Sequence, residues 1–256
     1  MCIRDRPSTD RVFAEPLETL ERFAFNEDVA SVFSDMIERS VPGYRSIVTQ
    51  TGLLTARFGK ANSKCYDLGC SLGESAFAMR HQLNRRSDAE YSNIEIVAVD
   101  NSKAMLNRLH QLLVHDESAS QSIDLRVVEA DITELAFETC SVAALNFTLQ
   151  FIPLEKRQTL IDDLCRQLLP GGALILSEKI RFDDDRQQQL HTDMYENFKR
   201  ANGYSDLEIS QKRDALENVL LPETLNTHKD RLLQSGFSSV EVWFQCFNFL
   251  SIVAIK

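Results

Sequence analysis

Paired cysteines are missing from this sequence. Six cysteines occur, Cys2, Cys65, Cys70, Cys140, Cys165 and Cys246, and no two stand as Cys-x-x-Cys. The spacing fits no zinc site and no disulfide framework, which leaves reduced thiols filling small spaces in a core. Long apolar runs are missing too. No stretch approaches the ~20 residues that span a bilayer, and residues 1–25 hold no hydrophobic signal core, so a cytoplasmic protein off the membrane is expected. Positive charge is in deficit, with 28 Lys and Arg against 38 Asp and Glu, a net charge of −10. Affinity for phosphate backbones rests on clustered cations, so direct nucleic-acid binding is not expected. The five histidines form no close metal-type pair, and each reads as a surface or capping residue with no metal implied. With only nine glycines, the chain contains no Gly-x-x-x-x-Gly-Lys-Ser/Thr loop for a polyphosphate.

What is present is a strand–helix alternation. Hydrophobic content of 43% over 256 residues suffices for one sizeable core. The opening MCIRDR resembles a translated sequencing-adapter remnant, so Met1–Arg6 are set aside, and residues 1–25 are expected to be a flexible lead-in. Residues 26–256 are expected to form a single domain. Asn26–Ser40 predicts an amphipathic helix, broken at Pro42-Gly43, and a second helix runs from Tyr44 to Phe58. Short strands are predicted at KCYDL, at Ile94–Asp100, at LRVVEADI, at SVAALNF and at ALILSEK. Helices are predicted between them: one through Phe77 and Met79, one capped by Ser102, and one over Leu154–Leu169 that stops at PGG. RRSDAEYSN reads as a polar linker. Such alternation implies parallel strands with helices on both faces. A polar helical insertion is expected over about 183–220, then a helix over Pro222–Ser235. Two last strands, Val240–Phe244 and Phe247–Ile255, lie so close in sequence that they must pair antiparallel. The predicted fold is therefore Rossmann-like, of the class I methyltransferase type. It has a seven-stranded, mainly parallel sheet with an antiparallel terminal strand, N-terminal helices and a helical insertion.

Four polar groups end four consecutive strands. The first is the loop in YDLGCSLGES, where Gly69 allows close backbone approach while Cys70 and Ser71 replace the glycines of better-known nucleotide loops. Non-glycine residues there predict ordinary backbone angles at both positions. Asp100, about 30 residues on, can accept from both hydroxyls of a ribose. Asp131 in EADI can accept from the amino group of an adenine, with the Ile132 amide nearby, and Asn146 ends the fourth strand. In a doubly wound sheet, ligands bind at these carboxyl ends. The set points to an adenosine-bearing ligand without polyphosphate.

The segments RSVPGY, YDLGCSLG, LNFTLQF, PGGALILSEK, FKRANGYSDLEISQKR and WFQCFNF together resemble the carboxy-S-adenosyl-L-methionine synthase family, over nearly all of residues 23–256. The resemblance implies that S-adenosylmethionine is carboxylated on its sulfonium methyl, with prephenate as donor and phenylpyruvate and water released. The product would then supply a separate tRNA carboxymethyltransferase that modifies wobble uridine. It further implies a homodimer and no metal. The functional residues it carries over are Tyr44, Gly69, Cys70, Ser71, Asp100, Asn101, Asp131, Ile132, Asn146 and Arg213. Arg213 would read the added carboxylate through its planar fork, and Tyr44 would donate to a ligand carboxylate. Lys199 and Lys212, in the same insertion, read as solvated charges on a helix face. Two other readings stay open at this point: an ordinary small-molecule methyltransferase, and a non-catalytic S-adenosylmethionine-binding partner subunit.

Overall fold

The computed structural model describes residues 9–17, 19, 21–86, 93–115 and 123–256. Met1–Arg6 and most of the RRSDAEYSN linker lie outside the described residues. Seven strands form one sheet in the order β3-β2-β1-β4-β5-β7-β6. They are β1 (Lys64–Leu68), β2 (Glu95–Asp100), β3 (Asp124–Glu129), β4 (Cys140–Asn146), β5 (Leu168–Lys179), β6 (Ser239–Cys246) and β7 (Phe249–Ile255). Strands β1 to β5 pair parallel, whereas β7 pairs antiparallel with both β5 and β6. β7 is thus inserted between β5 and β6, and its antiparallel pairing with β6 is what the short β6–β7 connection requires.

Eight α-helices are described: α1 (Glu27–Ser40), α2 (Tyr44–Phe58), α3 (Glu74–Asn84), α4 (Lys103–Val114), α5 (Leu154–Gln167), α6 (Asp185–Ala201), α7 (Asp206–Leu216) and α8 (Leu225–Gln234). Their ends follow the local chemistry. The Asn26 side chain accepts from Val29 N at the start of α1, and the Ser102 hydroxyl accepts from Met105 N at the start of α4. Ser205 and Glu208 form a reciprocal capping box at the start of α7.

The strands alternate faces as a two-residue period demands. Tyr66, Leu68, Val97 and Val99 pack with Leu160, Ile161 and Leu164 of α5 and Leu232 of α8. Cys65, Ile96 and Ala98 pack instead with Met79 and Leu83 of α3 and Leu106 and Leu109 of α4. Both faces of the sheet are therefore covered, which is why its central strands are apolar throughout. Cys65, Cys70, Cys140 and Cys165 are buried and free, and Cys246 is free and partly exposed.

The described residues between 9 and 25 are tied down, unlike the expected flexible lead-in. Asp10 is buried and accepts from the Tyr204 hydroxyl at 2.5 Å, Gln211 donates to the Phe13 carbonyl at 3.0 Å, and Phe23 N donates to Ala215 O at 2.9 Å. This segment, α1 and the α6–α7 insertion close together over the carboxyl ends of the strands. Buried Arg157 ties the far end of the insertion down. It donates to Gln150 O and Leu221 O and pairs with Glu223 at 2.5 Å. His228 departs from its surface reading: it is buried beside Arg231 and Glu223, and burial pushes its imidazole down to about 4.

Candidate active site

One cavity of about 380 Å³ opens between the strand ends and the covering segments. Every residue expected at the site lines it except Arg213: Tyr44, Gly69, Cys70, Ser71, Asp100, Asn101, Asp131, Ile132 and Asn146. They converge because successive parallel strands release their ends on one rim. Phe23, Phe25 and Phe151 add an aromatic wall.

The Gly69 loop is held from beneath. Gly69 N and Cys70 N both donate to Val99 O, at 2.8 and 2.9 Å. Gly69 has φ +73°, and a Cβ there would fall 2.4 Å from the Thr148 side chain. A glycine is required both for the angle and for the space. Ser71 corrects the expectation of ordinary angles: its φ is +52°, in the left-handed region, whereas Cys70 is ordinary. Two contacts fix that conformation. Ser71 N donates to Asp100 Oδ2 at 2.8 Å, and Ser71 Oγ contacts Met105 Sδ at 3.4 Å.

Asp100 also accepts from Ser102 N at 2.8 Å through Oδ1. It is buried, and burial raises its pKa against the backbone donors of Ser102, Ser71 and Asn101. Asp131 accepts from Thr133 N and Thr133 Oγ1, both at 2.8 Å and both at Oδ1, and the backbone bond holds its pKa below the usual range. Asn146 lines the cavity and is also tied to the scaffold. Its amide donates to Thr51 Oγ1 at 3.1 Å and to Ser75 Oγ at 2.9 Å, and its carbonyl accepts from Ser177 at 2.7 Å. Those bonds join α2, α3 and β5, so Asn146 shapes the rim. Asp67, absent from the sequence reading, also lines the cavity. It accepts from Ala76 N at 2.9 Å, and burial, with the Asp100 charge adding to it, pushes its carboxyl up to about 7.

Tyr44 is buried, and burial raises its hydroxyl well above the ordinary range, with the charges of Glu74 and Asp67 adding to the effect. It stands against Phe147, which neighbours Phe249, which in turn neighbours Tyr195 at 5.0 Å between ring centroids. This aromatic end of the cavity is where lysines gather. Lys179 and Lys212 line the cavity, and Lys199 lies 4.5 Å from the Tyr195 ring centroid. The solvated reading of Lys199 and Lys212 is overturned, since they are 6% and 9% exposed. Burial lowers Lys199 to about 7, and Lys179 and Lys212 to about 8. Sequence gives little warning of this, because a lysine on a polar helix looks the same whether or not another segment covers it. Arg213 lies outside the cavity, with its side chain 61% exposed and paired to Glu196 at 3.2 Å.

Among the described residues no group of three or more His, Cys, Asp or Glu is placed to hold a metal ion. No described helix is long and apolar enough to cross a membrane.

Residues 66–172 match a methyltransferase domain family. Solved structures share the fold at low identity. An O-methyltransferase family protein from Burkholderia thailandensis superposes with a TM-score of 0.60 at 13% identity, over 93% of this chain and 65% of that one. Human N-acetylserotonin methyltransferase, solved in complex with S-adenosylmethionine, gives a TM-score of 0.58 at 17% identity, over 95% and 61%. Full-length likeness is much stronger to curated relatives named carboxy-S-adenosyl-L-methionine synthase. The protein from Pseudomonas entomophila is 54% identical and that from Stutzerimonas stutzeri 52%, each covering 96% of this chain and 98% of its own length. The Citrifermentans bemidjiense protein is 52% identical over 97% of this chain and 98% of its own. With a class I methyltransferase fold, a cavity on its strand-end rim and relatives of this identity along nearly the whole length, the chain belongs to the carboxy-S-adenosyl-L-methionine synthase family, enzymes of the transferase kind.

Proposed function

We propose that this protein binds S-adenosylmethionine along the Gly69–Asp100–Asp131 rim and carboxylates its sulfonium methyl, taking the carboxyl group from prephenate. The observation that carries this reading is one cavity that joins an adenosine-type rim to an aromatic end where three lysines gather, Lys179 and Lys212 in its wall and Lys199 beside the Tyr195 ring. A plain methyl acceptor has no need of that charge, whereas a dicarboxylate donor and a carboxylated product do.

The chemistry suits a closed, apolar chamber. A positive sulfur stabilises a carbanion on its methyl group. Prephenate loses carbon dioxide and its ring hydroxide with gain of aromaticity. The hydroxide takes one methyl proton and becomes water, and the ylide carbon attacks the carbon dioxide. The new carbon–carbon bond gives carboxy-S-adenosylmethionine, and phenylpyruvate remains. Such a route depends on proximity and exclusion of water, which the covering segments supply, and it asks no metal of the protein.

Tyr44 sits between rim and aromatic end and is read as a donor to a ligand carboxylate. Arg213 is read as the fork for the new carboxylate, although it stands outside its own cavity. A homodimer, in which a second copy presents Arg213, accommodates both facts. The acidic charge supports a product handed to a separate tRNA carboxymethyltransferase in the cytoplasm, with no contact between this protein and tRNA. The deciding experiment incubates purified protein with S-adenosylmethionine and prephenate, then follows phenylpyruvate and the carboxylated nucleoside by mass. Methylated product, or no prephenate dependence, would overturn the reading.

A further inference from the structure

Two ammonium groups stand at the aromatic end of the cavity: Lys179, half-buried in its wall, and Lys199, buried against the Tyr195 ring. Lys179 Nζ lies 4.9 Å and Lys199 Nζ 4.5 Å from the centroid of the Tyr195 ring. Neither makes a side-chain hydrogen bond or ion pair with any described residue. The third lysine is different: Lys212 Nζ donates to Ser40 Oγ at 2.9 Å and stands 3.9 Å from Asp10. Glu196, the carboxylate whose charge acts on both lysines, is shared by Arg200 and Arg213, each at 3.2 Å. Lys199 therefore faces Lys179, Lys212 and Arg213 as like charges, with Glu196 opposing them. Burying charge without a partner is costly, and an anion held between the two lysines would offset that cost.

We infer that Lys179 and Lys199, with Tyr195 between them, form the subsite for the carboxylate that the donor keeps. This rests on the proposed donor being a dicarboxylate, and the choice of carboxylate follows from charge. One carboxylate departs as neutral carbon dioxide. A fixed cation against it would hold the ground state more tightly than the transition state and slow the reaction. The side-chain keto-acid carboxylate keeps its charge from substrate to product, so cations can grip it without that penalty. Phe249 and Tyr195 offer the apolar wall for the ring that becomes aromatic.

Phenylpyruvate, the product carrying only the retained carboxylate, is the discriminating probe. Calorimetry should show it binding wild-type protein, and at pH 8 binding should take up protons as the anion draws the lysines to their charged form. Two buffers of different ionisation enthalpy measure that uptake. Lys179→Met and Lys199→Met should each weaken phenylpyruvate about tenfold, the loss of one charge-assisted contact. The KM for prephenate should rise in parallel and S-adenosylmethionine affinity stay unchanged. Removing an unpaired buried charge should leave the melting temperature equal or higher, which a merely structural lysine would not do. Unchanged phenylpyruvate affinity in both variants, or wild-type binding without proton uptake, overturns the subsite. Wild-type protein that binds phenylpyruvate with proton uptake yet makes no carboxylated nucleoside overturns the proposed reaction and leaves the subsite standing.

Discussion

The Asp100 carboxylate holds the backbone of Ser71: Oδ2 accepts from Ser71 N at 2.8 Å while Oδ1 accepts from Ser102 N at the same distance. One side chain thus fixes a left-handed residue in the first loop and the cap of α4, beside one cavity. Deleting the side chain removes the support of both segments at once.

Asp100→Ala should therefore weaken S-adenosylmethionine binding by more than a lost ribose contact. Hydrogen bonds to a charged acceptor contribute about 1.5–3 kcal/mol, and a disordered Ser71 loop adds to that loss. Asp100→Asn should fall between the two, since its amide keeps one acceptor oxygen. Titration calorimetry with each variant checks the order, and equal affinity in all three proteins would remove Asp100 from the site.

Ser71→Gly should be neutral or stabilising by up to ~1 kcal/mol, and Ser71→Val should destabilise. The reason is φ at +52°, where a β-branched side chain is strained and glycine is not. Urea denaturation reads the difference. Destabilisation by Gly and tolerance of Val would mean that the loop is held in some other conformation in solution.

Stability should respond to pH in opposite directions on either side of neutrality. Asp67 and Glu178 are raised by burial to about 7 and about 8. The folded protein keeps those protons longer than the unfolded chain, so their contribution is complete at low pH and is lost as pH rises through the folded values. Lys199, Lys179 and Lys212 are lowered, so between about pH 7 and 10 the unfolded chain holds more protons and stability climbs with pH. Lys199→Met should flatten that climb in a denaturation series across alkaline pH. An unaltered slope would show Lys199 to be solvated.

Arg213→Ala should stop carboxylation and leave S-adenosylmethionine binding intact, with Arg213→Lys recovering only part, because a point charge cannot supply two parallel hydrogen bonds. Since Arg213 lies outside its own cavity, mixing Arg213→Ala with Asp100→Ala protein should restore activity through hybrid dimers. Failure of the mixture, with each parent folded, would place the arginine's action within one chain.

Purified protein should not retain tRNA at physiological salt in a filter-binding assay, given the −10 charge. Tight binding that fades steeply with added salt would make this protein a direct modifier of tRNA.

Periodicity and capping are local, so the strand–helix order, the capping of α4 and the convergence of Gly69, Asp100, Asp131 and Asn146 on one rim were legible in the sequence alone. So was the antiparallel β6–β7 pair, because a connection so short permits no other. Tertiary structure decided what covers that rim. A lysine at position 199 or 212 has the same local pattern whether solvent or another segment lies above it, and only tertiary packing buries both. The left-handed angle at Ser71 was likewise set from a distance, by a carboxylate 29 residues along the chain. Asn146 was placed by its strand but turned into a scaffold residue by Thr51, Ser75 and Ser177, which come from three other elements. Burial, like-charge proximity and saturation of hydrogen bonds are properties of what surrounds a residue, and neighbours in space are not written in the neighbours in sequence.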